Sequence, residues 1–273
     1  MIDLHTHTTA SDGRLSPPAL VARAADRGVA ILAVTDHDTV AGCGEAARAC
    51  DQAGLRFVPG IEVTAVLEGA DVHILGYFID VQSPGLLGFL AEQRRRRIDR
   101  VREIVVRLAG LGIPLDVDAI LAPSLAEGGR AAGRPWVAQA LVAAGFTDST
   151  NTAFDRWLAR GRPAFVPRVG VGAPVVIEQI HRAGGVASLA HPGLTAIDER
   201  IPEFVDAGLD AIEAYHSRHD AAALTRYLAM AETLHVLVSG GSDFHGGDGH
   251  GPAAPGEVCL PHEAFDRLAA RVR

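Results

Sequence analysis

The stretch MIDLHTHTTASDG, residues 1–13, is the part of the sequence that decides the fold and the chemistry. The apolar run at residues 2–4 predicts a short buried strand. His5 and His7 follow at its end, and side chains two positions apart on an extended chain point to the same side. Neutral imidazoles that face one point are natural metal ligands. The stretch therefore predicts a metal-binding loop at the end of a strand.

Similar polar motifs recur at the predicted ends of later strands. They read TDHD, PGIEVT, DVHILG, LAHPG and GSDFHG. Together with the opening stretch they supply nine nitrogen and oxygen donors, namely His5, His7, Asp12, His37, Glu62, His73, His191, Asp243 and His245. This set contains no thiolate and is too large for a single four-coordinate zinc ion. It predicts a cluster of two or three divalent ions such as Mn, Fe or Zn.

Composition restricts the class of protein. A chain of 273 residues with 48% hydrophobic content fits one large domain, or one domain with an insertion. Its apolar runs are shorter than the roughly 18–20 residues of a membrane helix, and its start lacks the pattern of a secretory signal. Its three cysteines form no CxxC pair, which favours a reduced, cytoplasmic setting.

The formal net charge of −8 disfavours a general nucleic-acid-binding surface. It is a weaker objection to a phosphorylated substrate, because bound divalent ions add positive charge at the site itself. The charge is therefore compatible with a small phosphorylated substrate, and we expect no stable nucleic-acid complex and no membrane association.

Strand-like and helix-like segments alternate in the first and last parts of the chain. Strands are predicted over residues 2–4, 29–35, 56–59, 71–78, 186–190, 211–215 and 236–239. The intervening helices are predicted over 17–27, 42–53, 173–183, 201–207, 221–234 and 262–272. The middle of the chain contains helical segments alone, over 86–111, 117–121, 135–144 and 150–159.

This order predicts an α/β fold in which residues 1–83 and 165–273 form a barrel and residues 84–164 form a helical insertion that covers the site. The donors are spread over at least six strand ends. A closed (β/α) barrel gathers such ends at one mouth. A flat doubly wound sheet is the alternative, and it focuses its ligands at a single switch point.

Taken in order, these motifs resemble those of the PHP (polymerase and histidinol phosphatase) family. Within it, the chain is most similar to small bacterial phosphoesterases that act on nucleoside 3',5'-bisphosphates. The motifs HTHTTASDG, TDHDTVAG, PGIEVT, HILG, AHPG and GSDFHG cover roughly residues 1–80 and 165–250. The resemblance implies a distorted, TIM-like barrel of seven strands and a trinuclear metal centre, with Mn favoured.

The resemblance also implies how the nine donors are shared. The first ion would be held by His5, His7, Glu62 and Asp243. Glu62 would bridge to a second ion on His73 and His191, and the third would lie on Asp12, His37 and His245. Hydrolysis would proceed through a hydroxide held between ions, because adjacent cations lower the pKa of water and neutralise phosphate oxygens. The catalytic residues expected on this basis are His37, Glu62, His191 and Asp243.

Arginines are expected to hold the phosphate charge that the metals leave over, because their planar fork matches phosphate oxygens. Arg102 flanks the apolar stripe of the predicted long helix, and we expect it to reach toward the barrel. Arg130 and Arg134 lie in GGRAAGRPW, before a helix whose N-terminus favours anions. The resemblance supports GRP at residues 133–135 as facing the substrate.

Aromatic residues complete the predicted substrate contacts. Relatives often have His after the GRP proline, where this chain has Trp136, and an indole could stack on a base or pack in the core. His216 or His219, after a predicted strand, could also touch the substrate. The predicted substrate-binding residues are Asp12, His37, Arg102, Arg130, Arg134 and His219.

Several functions fit these observations. The first is removal of the 3'-phosphate from a nucleoside 3',5'-bisphosphate, giving a nucleoside 5'-monophosphate and phosphate. The alternatives are a 5'-3' exonuclease on short oligonucleotides and a histidinol phosphate phosphatase. A degenerate module with a structural metal or none is disfavoured, because all nine donors are present.

Overall fold

A computed structural model describes residues 1–126, 130–247 and 251–272. Seven strands follow one another in a single sheet: β1 (Ile2–Asp3), β2 (Ile31–Val34), β3 (Arg56–Leu67), β4 (Ala70–Tyr77), β5 (Val186–Leu189), β6 (Ala211–His216) and β7 (Leu237–Gly241). Each lies within two residues of a predicted strand at its start. The predicted number and order of strands are therefore confirmed.

The helices also match their predictions closely. Those of the described residues are α1 (Pro17–Asp26), α2 (Cys43–Ala53), α3 (Pro84–Gly110), α4 (Val117–Leu125), α5 (Arg134–Ala143), α6 (Thr150–Ala153), α7 (Ala173–Arg182), α8 (Ile201–Asp206), α9 (Ala221–Thr233) and α10 (His262–Ala270). A π-helical turn at Phe154–Leu158 continues α6. Five of these helices have a proline in their first turn, which marks the start of a helix in the sequence. This is why the predicted helix starts agree with the observed ones.

The two edges of the sheet meet and nearly close it into a barrel. The Leu4 amide donates to the carbonyl of Gly240 at 3.3 Å, and Asp243 donates to His5 at 2.8 Å. The buried carboxylate of Asp3 accepts from both the amide and the hydroxyl of Ser242, at 2.8 and 2.6 Å. These bonds join β1 to the end of β7. The predicted distorted barrel is confirmed, and the flat doubly wound alternative is wrong.

One strand departs from the predicted all-parallel pattern. β4 runs antiparallel to both β3 and β5, whereas all the other neighbouring pairs are parallel. β3 continues past residue 59, where the predicted strand ended, and it turns into β4 at Glu68 and Gly69, both of which have positive φ. Because β4 is reversed, its first half lies at the mouth, above the end of β5. This is where His73 lies.

The insertion has a hydrophobic cluster of its own. Buried residues between Ile98 and Val166, from α3, α4, α5 and the π-helical turn, pack together. The first turns of α3 pack differently, because Leu86 and Leu90 belong to the cluster of the barrel. Within the described residues, no helix combines the length and apolar character needed to cross a membrane.

Candidate metal centre

The carboxylate of Glu62, buried in β3, is the centre of the barrel mouth. Imidazole nitrogens within 3.3 Å of its oxygens belong to five residues, His5, His7, His37, His73 and His191. One oxygen, Oε2, faces the first three of these rings, and Oε1 faces His73 and His191. A carboxylate whose two oxygens face different nitrogen donors is placed to bridge two cations.

A second carboxylate, Asp243, completes the first predicted set. Its Oδ1 lies 3.3 Å from His5 Nε2 and 3.2 Å from His7 Nε2, the same nitrogens that face Glu62. Four donors that we expected on one ion therefore converge on one point. The structure brings them together from the loop after β1, from β3 and from the loop after β7.

The third predicted set surrounds Asp12. Its carboxylate oxygens lie 3.4 Å from His245 Nε2 and 3.8 Å from both His37 Nε2 and His7 Nδ1. His7 thus lies between this set and the previous one. The structure brings all nine predicted donors to one mouth, and their division among three ions stays a prediction.

Several of these buried nitrogens have no hydrogen-bond partner within residues 1–126, 130–247 and 251–272. They are His7 Nδ1 and Nε2, His37 Nδ1, His73 Nδ1 and His191 Nδ1. His73 Nδ1 lies 2.8 Å from Glu62, but at an angle that is not that of a hydrogen bond. Buried polar atoms without partners are costly unless something else binds them. Nitrogen and carboxylate donors in this arrangement fit divalent transition-metal ions.

The electrostatics of the centre suit cations as well. Burial, assisted by His7 and His73, lowers the pKa of His37 to about 3, so this ring is neutral and offers a lone pair. Burial alone would raise the pKa of Glu62, but the imidazoles around it hold that pKa well below its usual range. Burial alone would lower the pKa of His5, His7 and His191, but the carboxylates that face them raise it, so a bound cation would displace protons from these rings.

Two residues that the sequence did not assign to the centre support it. Glu213 on β6 is fully buried, and it accepts from His5 Nδ1 at 2.8 Å and from the amide of His191 at 2.7 Å. His216 Nε2 lies 3.3 Å from Asp243 Oδ2. His5, His216 and Asp243 could together hold an ion. Their motif, EAYH, lacks the flanking Gly and Asp residues that marked the other sites, so the sequence gave no signal for Glu213 and offered His216 only as a substrate contact.

The backbone around the ligands is unusually tight. A Cβ on Gly241 would lie 2.3 Å from the amide nitrogen of His5, and one on Gly13 would lie 2.4 Å from the carbonyl of His7. His191 and Asp243 have backbone φ angles of +27° and +58°, in a region that residues other than glycine seldom adopt. Strain of this kind persists where the surroundings fix it, and Glu213 does so by holding the amide of His191.

A second buried polar cluster lies beside the centre, between the insertion and the barrel. We call it the arginine seam, and it consists of Arg97, Arg100, Arg134, Arg168, Asp38 and Asp71. Arg97 Nε donates to Asp38 at 2.6 Å, and Arg168 Nε donates to Asp71 at 3.1 Å. Asp71 lies two residues before His73 on β4, so the seam and the centre share one face of this strand.

The prediction for Arg102 was wrong about its direction. This side chain is half exposed, and it pairs with Asp99 at 3.4 Å on the solvent side of α3. The buried face of α3 includes Gln93 and Ile104 as well as the predicted stripe, and it turns Arg97 and Arg100 toward the barrel instead. Arg97 and Arg100 are three residues apart and therefore share one face of the helix, whereas Arg102 lies on another.

Residues 130–136, the described part of GGRAAGRPW, meet the metal loop. Trp136 Nε1 donates to the carbonyl of Ser11 at 3.3 Å, and Arg130 lies over the indole ring at 5.4 Å. Among the described residues, the buried Arg130 Nε has no hydrogen-bond partner. Arg134 lies 3.6 Å from Asp71 in the seam. Arg130 and Arg134 are therefore near the mouth, and their contact with substrate stays a prediction.

His219 has partners for both of its ring nitrogens. Its Nδ1 donates to the carbonyl of Ala214 at 2.9 Å, and its Nε2 accepts from the amide of Gly193 at 3.2 Å. Burial lowers the pKa of His219, which agrees with this neutral form. Its predicted contact with substrate also stays a prediction.

A cleft of about 260 Å³ leads from solvent to the centre. Asp12, Asp243 and His245 form its metal side. Its other walls come from Arg14 and Arg218 of the barrel loops and from Pro135, Gln139, Thr150 and Phe154 of the insertion. The cleft therefore offers charged, polar and aromatic surface beside the donors, as a site for a polar organic substrate does.

The fold and the donor set define a metal-dependent hydrolase built on a β/α barrel. The PHP domain model matches residues 3–109. The chain belongs to the PHP family of metal-dependent phosphoesterases, as its motifs predicted.

Three similar proteins show the range of this family. The chain is 38% identical over 250 residues to "5'-3' exoribonuclease Rnm" of Escherichia coli K12, covering 89% of this chain and 84% of the relative. It is 34% identical over 261 residues to a "3',5'-nucleoside bisphosphate phosphatase" of Chromobacterium violaceum, covering 94% and 88%. A solved structure from Bifidobacterium adolescentis, described as a candidate metal-dependent phosphoesterase, superposes with a TM-score of 0.89 at 32% identity, covering 99% and 96%.

Proposed function

We propose that this hydrolase removes the 3'-phosphate of nucleoside 3',5'-bisphosphates and releases a nucleoside 5'-monophosphate and phosphate. The observation that carries the proposal is the pairing of the carboxylate–imidazole centre with the arginine seam along β4. One site suits cations and the other suits anions. A substrate with two phosphates matches both.

Two or three divalent ions, with Mn favoured, would supply an acidified water and neutralise the oxygens of the phosphate that is cleaved. Glu62 and Asp243 provide the charge that keeps such cations close together. Of the other predicted catalytic residues, His37 and His191 present neutral or carboxylate-paired rings to the same point. Asp12 and His37 border the place where the ester would lie.

The division of the chain serves this function. We propose that residues 84–164 act as a substrate cap on the barrel formed by 1–83 and 165–273. The support is the separate hydrophobic cluster of the insertion and its contacts with the metal loop. Ala131 donates to the carbonyl of Ala10 at 3.2 Å, so the cap reaches the residues next to Asp12.

A 5'-3' exonuclease on short oligonucleotides is the second candidate, and the identity to the Escherichia coli relative favours it. Such an enzyme and the bisphosphatase break the same bond, between the 3'-oxygen and phosphorus, and both release a nucleoside 5'-monophosphate. They differ in the second substituent of the phosphorus: in the oligonucleotide it is also bonded to the 5'-oxygen of the next nucleotide, whereas in the bisphosphate it is not. The net charge of −8 favours the shorter substrate, because a long strand would meet an acidic surface.

Histidinol phosphate is a poorer match for the site. It carries one phosphate, so it would leave the excess charge of the seam without a partner. Its amino group would also add positive charge beside the arginines.

The experiment is a comparison of substrates with the metal-loaded protein. Adenosine 3',5'-bisphosphate, 3'-AMP, 5'-AMP, histidinol phosphate and a 5'-phosphorylated oligonucleotide are incubated separately, and the products are separated by chromatography. We expect the bisphosphate to give the highest kcat/KM and to yield 5'-AMP. A higher kcat/KM with the oligonucleotide would favour the second candidate, and 3'-AMP as the product would reverse the proposed orientation.

A further inference from the structure

His216, the last residue of β6, lies beside the metal centre without being one of the nine predicted donors. Its side chain is fully buried, and its Nε2 lies 3.3 Å from Oδ2 of Asp243. The other oxygen of this carboxylate, Oδ1, lies 3.3 Å from His5 Nε2. The position of His216 therefore fits two roles, either a further metal ligand or a group that holds Asp243 in place.

A bulge in β6 explains why this side chain turns toward the centre. The register between β6 and β7 passes from Glu213 directly to Tyr215, so Ala214 is an extra residue. In a regular strand, residues three apart point to opposite faces. A bulge shifts this alternation by one residue, and it brings Glu213 and His216 to the same face. Both side chains are then directed at the metal centre.

The hydrogen bond on the far side of the ring identifies its tautomer. The amide of Arg218 donates to His216 Nδ1 at 3.1 Å, so Nδ1 is an acceptor and carries no proton. A ring of this tautomer has its proton on Nε2. The Nε2–H group of His216 therefore donates to Oδ2 of Asp243.

Two of the predicted ligands have the opposite arrangement. His5 Nδ1 donates to Glu213 at 2.8 Å, and His245 Nδ1 donates to the backbone carbonyl of Asp243 at 3.0 Å. Nε2 of each ring can then offer a lone pair to a cation, as metal-bound imidazoles usually do. For His216 to do the same, its proton would have to move to Nδ1, where it would meet the N–H group of Arg218.

The same ring connects Asp243 to the wall of the substrate cleft. Ser217 and Arg218 line this cleft, together with Asp243 itself. The bond from the Arg218 amide to the ring closes the turn that carries both residues, and the His219 amide donates to the carbonyl of His216 at 3.0 Å. One buried side chain thus holds the carboxylate on one side and the cleft wall on the other.

We propose that His216 is a positioning residue, which holds Oδ2 of Asp243 and leaves Oδ1 to face the cation that His5 and His7 would bind. Oδ1 lies 3.2 Å from His7 Nε2, so it already faces that point. Without the bond from His216, the carboxylate would be free to rotate and to offer both of its oxygens to an ion. The inference rests on the metal centre of the proposed function and is independent of its substrate.

Two substitutions separate the roles of the two ring nitrogens. His216→Gln places an amide N–H where Nε2 lies, so it can still donate to Asp243, but an amide is a far poorer ligand for Zn²⁺ than imidazole is. His216→Asn is too short to reach Asp243, but its oxygen lies where Nδ1 lies and can still accept from Arg218.

The first measurement is a calorimetric titration of chelator-treated full-length protein with Zn²⁺. We expect His216→Gln to bind Zn²⁺ with nearly wild-type affinity, and His216→Asn to bind one ion about 10- to 100-fold more weakly. His262→Gln is the control, because this histidine is exposed in the first turn of α10, and it should leave the affinity unchanged. Loss of the same ion from both His216→Gln and His216→Asn would make His216 a ligand and overturn the proposal.

Urea unfolding of the two variants tests for a purely structural role. We expect the affinity for Zn²⁺ to follow the ability to donate to Asp243 and not the urea midpoint. Affinities that fall in proportion to the midpoints would show that His216 only stabilises the fold, and they would overturn the positioning role.

NMR of the ring nitrogens in the wild-type protein needs no variant to fold. We expect His216 Nε2 to carry a proton both before and after Zn²⁺ is added, whereas His5 Nε2 carries none in the Zn²⁺-loaded protein. If Zn²⁺ binds and His216 Nε2 loses its proton, the metal centre stands and the positioning role fails. If the wild-type protein binds no metal, the metal centre of the proposed function fails, and the positioning role fails with it.

Discussion

The carboxylate–imidazole centre and the arginine seam are two buried polar clusters that meet on β4, and their charges are unbalanced in opposite directions. The centre surrounds the ionised carboxylates of Glu62 and Asp243 with imidazole rings. The seam surrounds two carboxylates with four permanent cations. His73 belongs to the first and Asp71 to the second, two residues apart.

The difference teaches which ligand each cluster takes. Unpaired imidazole nitrogens beside carboxylates attract metal ions, whereas clustered guanidinium groups attract phosphate. Charge also keeps metal ions out of the seam, because a metal ion there would be repelled by four arginines. Mutations should therefore affect the two clusters in distinguishable ways.

The largest effect is expected from Glu62→Gln. The amide loses the charge that faces five imidazoles, so the centre should lose bound metal. Metal ions contribute several kcal/mol to such hydrolysis, which corresponds to roughly a thousandfold or more in kcat/KM. Elemental analysis and steady-state kinetics measure both quantities. Glu68→Gln, at the exposed end of the same hairpin, is the control and should retain metal and activity.

The next effect is expected on stability, from Arg97→Gln. Arg97 binds Asp38, the carbonyl of Ala132 and the hydroxyl of Thr64, so it joins the insertion to the barrel. Removal of one partner from a buried ion pair costs about 3–5 kcal/mol. Urea unfolding should show this loss, while the metal content of the folded variant stays at the wild-type level. A loss of metal without a loss of stability would contradict the separation of the two clusters.

A smaller effect is expected from Glu213→Gln. Its two oxygens accept from His5 and from the backbone of His191, and an amide has only one oxygen to offer. Such supporting carboxylates are typically worth 10- to 100-fold in metal affinity. Titration of apo protein with Mn²⁺ should show a shift of this size with little change in the urea midpoint. Glu263→Gln on the surface of α10 is the control, and an equal shift there would remove Glu213 from its positioning role.

The smallest effect is expected from Trp136→Phe. The ring is retained, and the hydrogen bond to Ser11 is lost, which costs about 0.5–1.5 kcal/mol. KM for the bisphosphate should rise a few-fold if the cap and the metal loop act together. An unchanged KM would show that this bond serves packing alone.

The sequence predicted most of the fold, and it singled out the nine side chains that lie together at the mouth, because both rest on local signals. Buried parallel strands leave continuous apolar runs, and ligands at their ends sit among Gly and Asp residues, as in GSDFHG. The reversed direction of β4 was not predicted, because the apolar pattern of a buried strand is the same whether the strand runs parallel or antiparallel to its neighbours. The sequence signal for a hairpin was the two-residue turn Glu68-Gly69, which is short enough to be overlooked.

The supporting residues could not be predicted in the same way. Glu213 contacts His5 across 208 positions of the chain, and no spacing rule links residues so far apart. The prediction for the arginines of α3 failed because it placed the buried face of the helix at the wrong rotation about the helix axis. A stripe drawn through Ile98, Val101 and Val105 is correct, but tertiary contacts with β3 shift the buried face toward Arg97 and away from Arg102. Such a shift depends on packing partners that only the folded chain supplies.

The most direct test of the account is the metal content of the protein purified without chelator. Elemental analysis should find two to three equivalents of divalent transition metal per chain, and activity lost on chelation should return when Mn²⁺ is added. Less than one equivalent, with no gain in phosphate release on adding Mn²⁺, would contradict the central claim that the imidazoles around Glu62 form a metal centre.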